Sequence, residues 1–470
     1  MDKLRHRFTA GMMLKDCGGT LAAGRRRQGA CGISTDSRTI EKGEAFLALV
    51  GPNHDGHDFV PQAIEAGASI VVAMRRDEQW RLPRNVALIL VGDTTRALVR
   101  LAAMHRRRLR GKVLSVTGSC GKSTVKTMLG AILSRAGRCG IAQRSFNNRI
   151  GLSLSLLDSE VEDDFTVLEM GTNHPGEIDE LARCAKPHAG IITCIGECHL
   201  EGLGDRIGVM EAKAELIPHL DPDGVLILNA DDPLCASLGA RFAGEVRTFG
   251  FSGRADVRPI NLRRDSGAMA FEACGESFRL PAAGRHNALN AAAAICASMW
   301  AGATLEQARE ALAQVALPPM RFEKRQLAGV TFILDCYNSN PTAMHAALRG
   351  FLDEPVARRR MVVCGDMLEM GDAAQEMHRH LGRTLALTHV DILVAVGPLG
   401  RFVLDGWAEL AQDQQVALHF PTAQEAWRPV WALTAPGDAV LIKGSRAMKM
   451  ETVASAIAEH IGLAGKEAAA

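Results

Sequence analysis

The chain has 470 residues, 47% of them apolar and 23% charged, a balance that supports several packed cores and excludes a mostly disordered protein. Lys plus Arg number 54 against 53 Asp plus Glu, so no global field draws the chain toward nucleic acid or an anionic membrane, and small molecules are the expected partners. The 12 cysteines form no Cys-x-x-Cys pair and no run of about 18 apolar residues occurs, which argues against a disulfide framework, structural zinc or membrane insertion and leads us to expect a reducing, cytoplasmic location.

At about 150 residues per domain the length suggests roughly three units. Changes of pattern near 110 and 318 divide the chain into 1–110, 111–318 and 319–470. The first unit is the least regular, with a polar cluster Ser34, Thr35, Asp36, Ser37, Arg38 and a loop over 51–58 between short apolar runs. In the second, apolar runs at 113–116, 165–168, 191–195 and 225–228 end in polar or small residues and alternate with helix-patterned stretches. That alternation predicts a mostly parallel sheet with crossover helices. After Pro318 and Pro319 a second series at 331–334, 361–364, 392–396 and 440–442 predicts a further, Rossmann-like unit, so the fold class is α/β throughout. The arginine runs 25–27, 106–108 and 358–360 read as solvated faces or element ends, and the Ala-rich tail after Gly465 is expected to fray.

The chemistry concentrates at strand ends. Residues 113–123 read as a strand, a tight loop Thr117-Gly118-Ser119-Cys120-Gly121, then Lys122 and Ser123 opening a helix toward Ser134. Backbone N–H groups and a helix N-terminus there cradle phosphates, Lys122 can reach the terminal phosphates and the Ser123 hydroxyl can ligate Mg²⁺. Val116 stands where the usual first glycine would be, but the strand-to-helix context favours a phosphate loop over a plain turn. Glu169 and His199 follow two of the strands, where open α/β sheets bind ligands. Singly each reads as an ordinary polar residue; beside a phosphate loop, holding a second Mg²⁺ or its waters becomes the preferred reading. Lys213, in Glu-Ala-Lys-Ala-Glu-Leu, reads as a solvated helical lysine. In 284–290 the asparagines precede an alanine-rich helix, so capping is the default and an adenine contact the alternative. Over 335–341, Asp335, Asn338 and Asn340 surround the only tyrosine, and a turn and a ligand contact stand equally open.

Taken in order, these stretches resemble the Mur ligases of peptidoglycan synthesis, whose ATPase loop has the Thr-Gly-x-x-Gly-Lys-Ser/Thr form of 117–123. The likeness extends over nearly the whole chain: Ser-Thr-Asp-Ser-Arg at 34–38, Phe-Asn-Asn-Arg-Ile-Gly at 146–151, Leu-Glu-Met-Gly at 168–171, Ile-Gly-Glu-Cys-His-Leu-Glu at 195–201, Ala-Lys at 212–213, His286 and Asn287 with Asn290, Gly-Asp-Met-Leu-Glu-Met-Gly at 365–371 and Lys-Gly-Ser-Arg at 443–446. The last-domain motifs are most similar to the branch that adds D-alanyl-D-alanine to UDP-N-acetylmuramoyl-tripeptide; the Asp-Asn-Pro-Arg type motif of the neighbouring ligase is missing. Departures fall at Ser153, Cys194, Asp205, Cys336 and Ser339.

The resemblance implies an N-terminal UDP-substrate domain, a central ATPase domain and a C-terminal ligase domain, with ATP and Mg²⁺ as cofactors; a monomer is expected, although the sequence leaves the oligomeric state open. It implies that Ser123, Glu169 and His199 serve Mg²⁺, that Lys213 is carbamylated and joins them, and that Lys122 and Arg321 hold the γ-phosphate. Asn290 would then contact adenine and Asp335 the ribose, while Ser34 to Arg38, Asn147, Asn148, Asn338 and Asn340 would serve the other substrates. A folylpolyglutamate-synthase-like ligase would lack the 34–38 motif, and a regulator that had lost catalysis should have lost Glu169, His199 or Lys213.

Overall fold

The computed structural model describes residues 7–143, 145–265 and 268–467. The N-terminal unit is a five-stranded sheet in the order Thr20–Ala23, Ala87–Leu90, Ile70–Ala73, Ala45–Leu47, Ile33–Ser34, antiparallel only at its first pair. Asp93 caps the helix Thr94–Arg106 by accepting from the Arg96 amide, and the helix buries Ala97, Leu98, Leu101 and Ala102. That face packs on the helix Arg149–Asp158, so one apolar core runs from Phe8 and Leu14 through Leu98 to Leu152 and Ile192.

The seam is finished by polar groups. Arg106 is buried, and its guanidinium donates to the carbonyls of Ala185 (2.6 Å) and Lys186 (2.8 Å) at the end of the helix Glu177–Ala185. It therefore ends an element as expected but is not solvated, because those last carbonyls have no partner within their own helix. His105 beside it is also buried and shares a 2.8 Å hydrogen bond with the Ser159 carbonyl.

The central sheet is parallel throughout, in the order Glu245–Phe249, Val225–Asn229, Ala189–Ile192, Lys112–Thr117, Phe165–Glu169, Cys139–Ile141. From Lys112–Thr117 the chain first goes to one side and then, at Ala189–Ile192, to the other. The crevice at this switch of direction is where an open α/β sheet binds its ligand. Helices cover both faces, which is why the strands read as continuous apolar runs. Two local readings change. Glu169 is the last residue of its strand rather than the first after it, and the strand expected over 191–195 is Ala189–Ile192, because Thr193 and Cys194 turn to pair with the phosphate loop.

A three-stranded antiparallel sheet, Ile260–Asp265, Ala268–Ala273 and Glu276–Leu280, had no counterpart in the sequence reading. Its Phe271 and Phe278 stack at 5.3 Å and pack into the core shared with the helix Arg285–Ala301. That helix starts at Gly284, whose φ of +96° ends the preceding strand connection, so Asn287 and Asn290 lie inside it and cap nothing.

The C-terminal sheet runs Glu323–Leu327, Val330–Leu334, Ala439–Lys443, Arg360–Gly365, Ile392–Val396, Val416–Phe420, antiparallel only at its first pair. The last helix is Glu451–Glu467, and residues 468–470 of the tail lie outside the described residues. Among the described residues no helix is long and apolar enough to cross a membrane.

Burial holds the His105 imidazole at about 4, below its ordinary 6.5. Between those values the unfolded chain takes up a proton that the folded chain refuses, so stability should be lost as pH falls from 6.5 toward 4, by roughly 3 kcal/mol in all. Urea midpoints measured across this window should show the loss, and His105→Gln should flatten it.

Candidate active site

The loop over 117–123 is made by two glycines in the left-handed region, Gly118 (φ +140°) and Gly121 (φ +82°). Neither tolerates a side chain: a Cβ at Gly118 would stand 1.9 Å from Thr193 Oγ1, and one at Gly121 2.5 Å from Asn290 Oδ1. The helix Lys122–Ala136 then begins with no side-chain cap, so its first N–H groups are left for an anion. Lys122 Nζ folds back onto the Gly118 carbonyl at 2.7 Å.

Around the loop lies one polar network. The Ser123 hydroxyl donates to Glu169 Oε2 at 2.8 Å and accepts from Arg321 Nη2 at 2.8 Å. Glu169 is only 1% exposed, accepts from Asn147 Nδ2 at 3.1 Å and lies 3.3 Å from Lys126 Nζ. Burial pushes the Lys126 amine down, and Glu169 opposes that shift. Arg321 stacks 4.1 Å above the Tyr337 ring, an aromatic face that suits a weakly hydrated guanidinium.

His199 has a φ of +52° and shares a 2.5 Å hydrogen bond between Nδ1 and Glu369 Oε2, across from the C-terminal unit. Burial, then the neighbouring Lys122 charge, hold this imidazole below its ordinary value. Lys213 corrects its sequence reading: it is 1% exposed, not solvated. The helix Arg206–Ala214 turns Val209 and Lys213, four residues apart, onto the same inward face. Burial pushes the Lys213 amine down, the loop residues Lys122 and Cys120 are among its electrostatic neighbours, and no ion pair reaches it among the described residues.

Asp335 is pinned from below by the buried Lys443, whose ammonium donates to its carboxylate at 2.7 Å and to the Asn338 carbonyl at 3.0 Å. Asn340 caps the helix Pro341–Leu352 and reaches the Ser119 carbonyl at 3.4 Å, while Asn338 Oδ1 accepts from the Ser339 amide. Asn148 likewise caps the helix Arg149–Asp158. Turn and cap chemistry therefore accounts for part of what these amides do.

A cleft of about 1440 Å³ brings together Ser119 to Ser123, Asn147, Asn148, Glu169, His199, Asn290, Arg321, Asp335, Asn338 and Asn340. Thr117 and Gly118 support it from the sheet, and Lys213 is packed behind it. The cluster 34–38 does not line it. There Arg38 chelates Asp36 at 2.9 and 2.7 Å, Ser34 bonds the Asp36 backbone and Ser37 bonds Gln62. Its strand, Ile33–Ser34, packs on the helix that Asn148 opens at the cleft edge. Three partners escaped the sequence reading: Lys126, Glu369 and Lys443. Lys126 stands one turn after Lys122, and the other two sit in quoted motifs, so only their partners were illegible.

Three family models match in chain order: "Mur ligase family, catalytic domain" over 31–106, "Mur ligase middle domain" over 116–298 and "Mur ligase, glutamate ligase domain" over 320–446. The chain is 36% identical over 431 residues to the UDP-N-acetylmuramoyl-tripeptide–D-alanyl-D-alanine ligase of Bacillus subtilis, covering 91% of this chain and 93% of that one. A crystal structure of MurF from Acinetobacter baumannii superposes with a TM-score of 0.86 at 33% identity, covering 96% of this chain and 99% of the other. MurF ligase from Thermotoga maritima in complex with ADP superposes with a TM-score of 0.80 at 26% identity, over 92% and 98%. With its loop, its three α/β units and nearly all its length shared with these relatives, the chain belongs to the Mur ligase family.

Proposed function

We propose that this protein is an ATP-dependent ligase that joins D-alanyl-D-alanine to the tripeptide carboxylate of UDP-N-acetylmuramoyl-tripeptide, through an acyl phosphate, in peptidoglycan precursor synthesis. One observation carries the reading: a phosphate loop meets a buried carboxylate and an arginine from the next domain in a single cleft, in a chain more than 30% identical to ligases of that name. Amide formation from a carboxylate in water is uphill, and phosphorylation by ATP supplies the activated carbonyl.

In the first step the tripeptide carboxylate oxygen attacks the γ-phosphorus and ADP leaves. Little covalent chemistry is asked of the protein, so positioning and charge dominate. The uncapped helix start and Lys122 would meet the phosphates, and Arg321, seated on Tyr337, would add its charge to theirs. In the second step the D-alanyl-D-alanine amine attacks the acyl carbon and inorganic phosphate leaves. Asn290, which lies against Gly121, and Asp335, held by Lys443, would meet the nucleoside. Asn147, in the cleft, would face the UDP-sugar, and the edge strand Ile33–Ser34, packed on the helix Arg149–Asp158 beyond the cleft lining, would meet the rest of that substrate.

The donor set fits magnesium. Ser123 Oγ and Glu169 Oε2 are hard oxygens 2.8 Å apart that already attract two cations, Arg321 and Lys126. These two would hold the ion, with His199 on its waters, and the ion would supply positive charge against the phosphate oxygens. Lys213 suits carbamylation because burial favours its neutral amine. That neutral amine adds to CO₂ through a new N–C bond and releases one proton, which leaves a carbamate anion beside the loop.

ADP release should require both UDP-N-acetylmuramoyl-tripeptide and D-alanyl-D-alanine, with a product heavier by the added dipeptide. Absence of turnover with both the lysine and the diaminopimelate tripeptide would overturn the assignment. Turnover should also fall in carbonate-free buffer and return with bicarbonate. Lys213→Met, which keeps the apolar stem, should lower kcat about 100-fold and abolish the bicarbonate effect; wild-type kcat in this variant would remove Lys213 from the mechanism.

A further inference from the structure

Cys120 sits in the phosphate loop, and Cys194 follows the neighbouring strand Ala189–Ile192 by two residues. Their Sγ atoms are 3.1 Å apart. The backbones that carry them are clamped together on either side: the Ser119 amide donates to the Cys194 carbonyl at 2.9 Å, the Thr193 amide to the Thr117 carbonyl at 3.0 Å and the Gly196 amide to Ser119 Oγ at 2.8 Å. A disulfide bond is about 2.05 Å long, so closing this pair asks for a sulfur movement of only about 1 Å. Both thiols are half-buried and line the cleft, so a small oxidant can reach them. Cys198, the third thiol nearby, is buried and donates to Ser119 Oγ at 3.2 Å, which leaves it outside the pair.

We propose that Cys120 and Cys194 form a reversible disulfide within the phosphate loop, and that the oxidised chain no longer turns over ATP. A peroxide is the oxidant. Its oxygen adds to the Cys194 sulfur to give a sulfenic acid and one water; the Cys120 sulfur then attacks that sulfur, the S–O bond breaks and a second water leaves. In balance, two thiols and hydrogen peroxide become one disulfide and two waters. The hydrogen bond between the sulfurs holds Cys194 below the ordinary thiol value and pushes Cys120 up, which makes Cys194 the first to react. Closure draws the loop backbone at Cys120 toward the strand end. The N–H groups that cradle phosphate are carried with it, and displacements near 1 Å in such a site can cost 100-fold in rate.

The disulfide itself is independent of the proposed ligase reaction; the loss of turnover rests on it. The reduced full-length chain is treated with hydrogen peroxide, quenched with catalase, and split for non-reducing peptide mapping and for ADP release with both substrates. A Cys120–Cys194 cross-linked peptide, at least a tenfold loss of turnover, and recovery of both with dithiothreitol are expected. Cys194→Ser, compared with its own reduced rate, should keep that rate after peroxide, whereas Cys198→Ser should lose its own. The cross-link should also form at least threefold more slowly under saturating Mg²⁺-ADP. Failure to find the cross-linked peptide in the native chain would overturn the site, whether or not any variant folds. A cross-link that forms without loss of turnover, or a Cys194→Ser chain inactivated as fast as the native one, would overturn the control of activity.

Discussion

A carboxylate at the end of a strand buried on both faces is costly to desolvate unless several partners meet it, and Glu169 is such a group. Its partners come from different parts of the chain. Ser123 and Lys126 belong to the helix after the phosphate loop, Asn147 to the connection after the next strand, and Arg321, acting through Ser123, to the start of the C-terminal unit. Satisfying one anion therefore aligns the loop, fixes the first turn of its helix and draws the third unit over the cleft. Ser123 Oγ and Glu169 Oε2, held 2.8 Å apart by this network, are hard oxygens of the kind that divalent cations prefer.

Positive charge gathers around this pair in a chain whose formal net charge is only +1. Lys122, Lys126, Lys213 and Arg321 all lie at or behind the loop, yet only Lys126 is within ion-pair distance of Glu169. Such an excess is unstable in isolation and is relieved by the phosphates the loop is shaped to receive. Burial of Lys213 with no ion pair among the described residues belongs to the same logic: a lysine in that position is held toward its neutral form.

The three units meet through specific contacts. His199 with Glu369, Asn340 with Ser119 and Arg321 with Ser123 join the second and third at the cleft, and Arg264 with Glu354 and His286 with Phe322 join them beyond it. The first and second are joined by a continuous apolar core and by Arg106, which caps a helix of its neighbour. An apolar seam of that extent resists sliding, whereas polar contacts around a cleft can exchange for contacts to bound substrate. The N-terminal unit is thereby coupled to the central sheet as a platform, and the C-terminal unit is held in part by groups at the cleft itself.

Local sequence determined much of this. Continuous apolar runs mean strands covered on both faces, a glycine pair before Lys122 and Ser123 means a loop whose backbone must take left-handed angles, and the ordered motifs pointed to the family. These features depend on neighbours in sequence or on side-chain period, so they are legible without a fold. Only the tertiary structure decided that Lys213 is buried, since a lysine on a helix carries no mark of which face turns inward, and that Asn287 and Asn290 lie inside a helix rather than before it. It also decided that Glu369 meets His199, that Lys443 holds Asp335 and that Cys120 touches Cys194, because each pair joins residues at least 74 positions apart through the packing of strand ends. Sequence specifies which groups are available; the switch of strand direction beside Lys112–Thr117 specifies which of them meet.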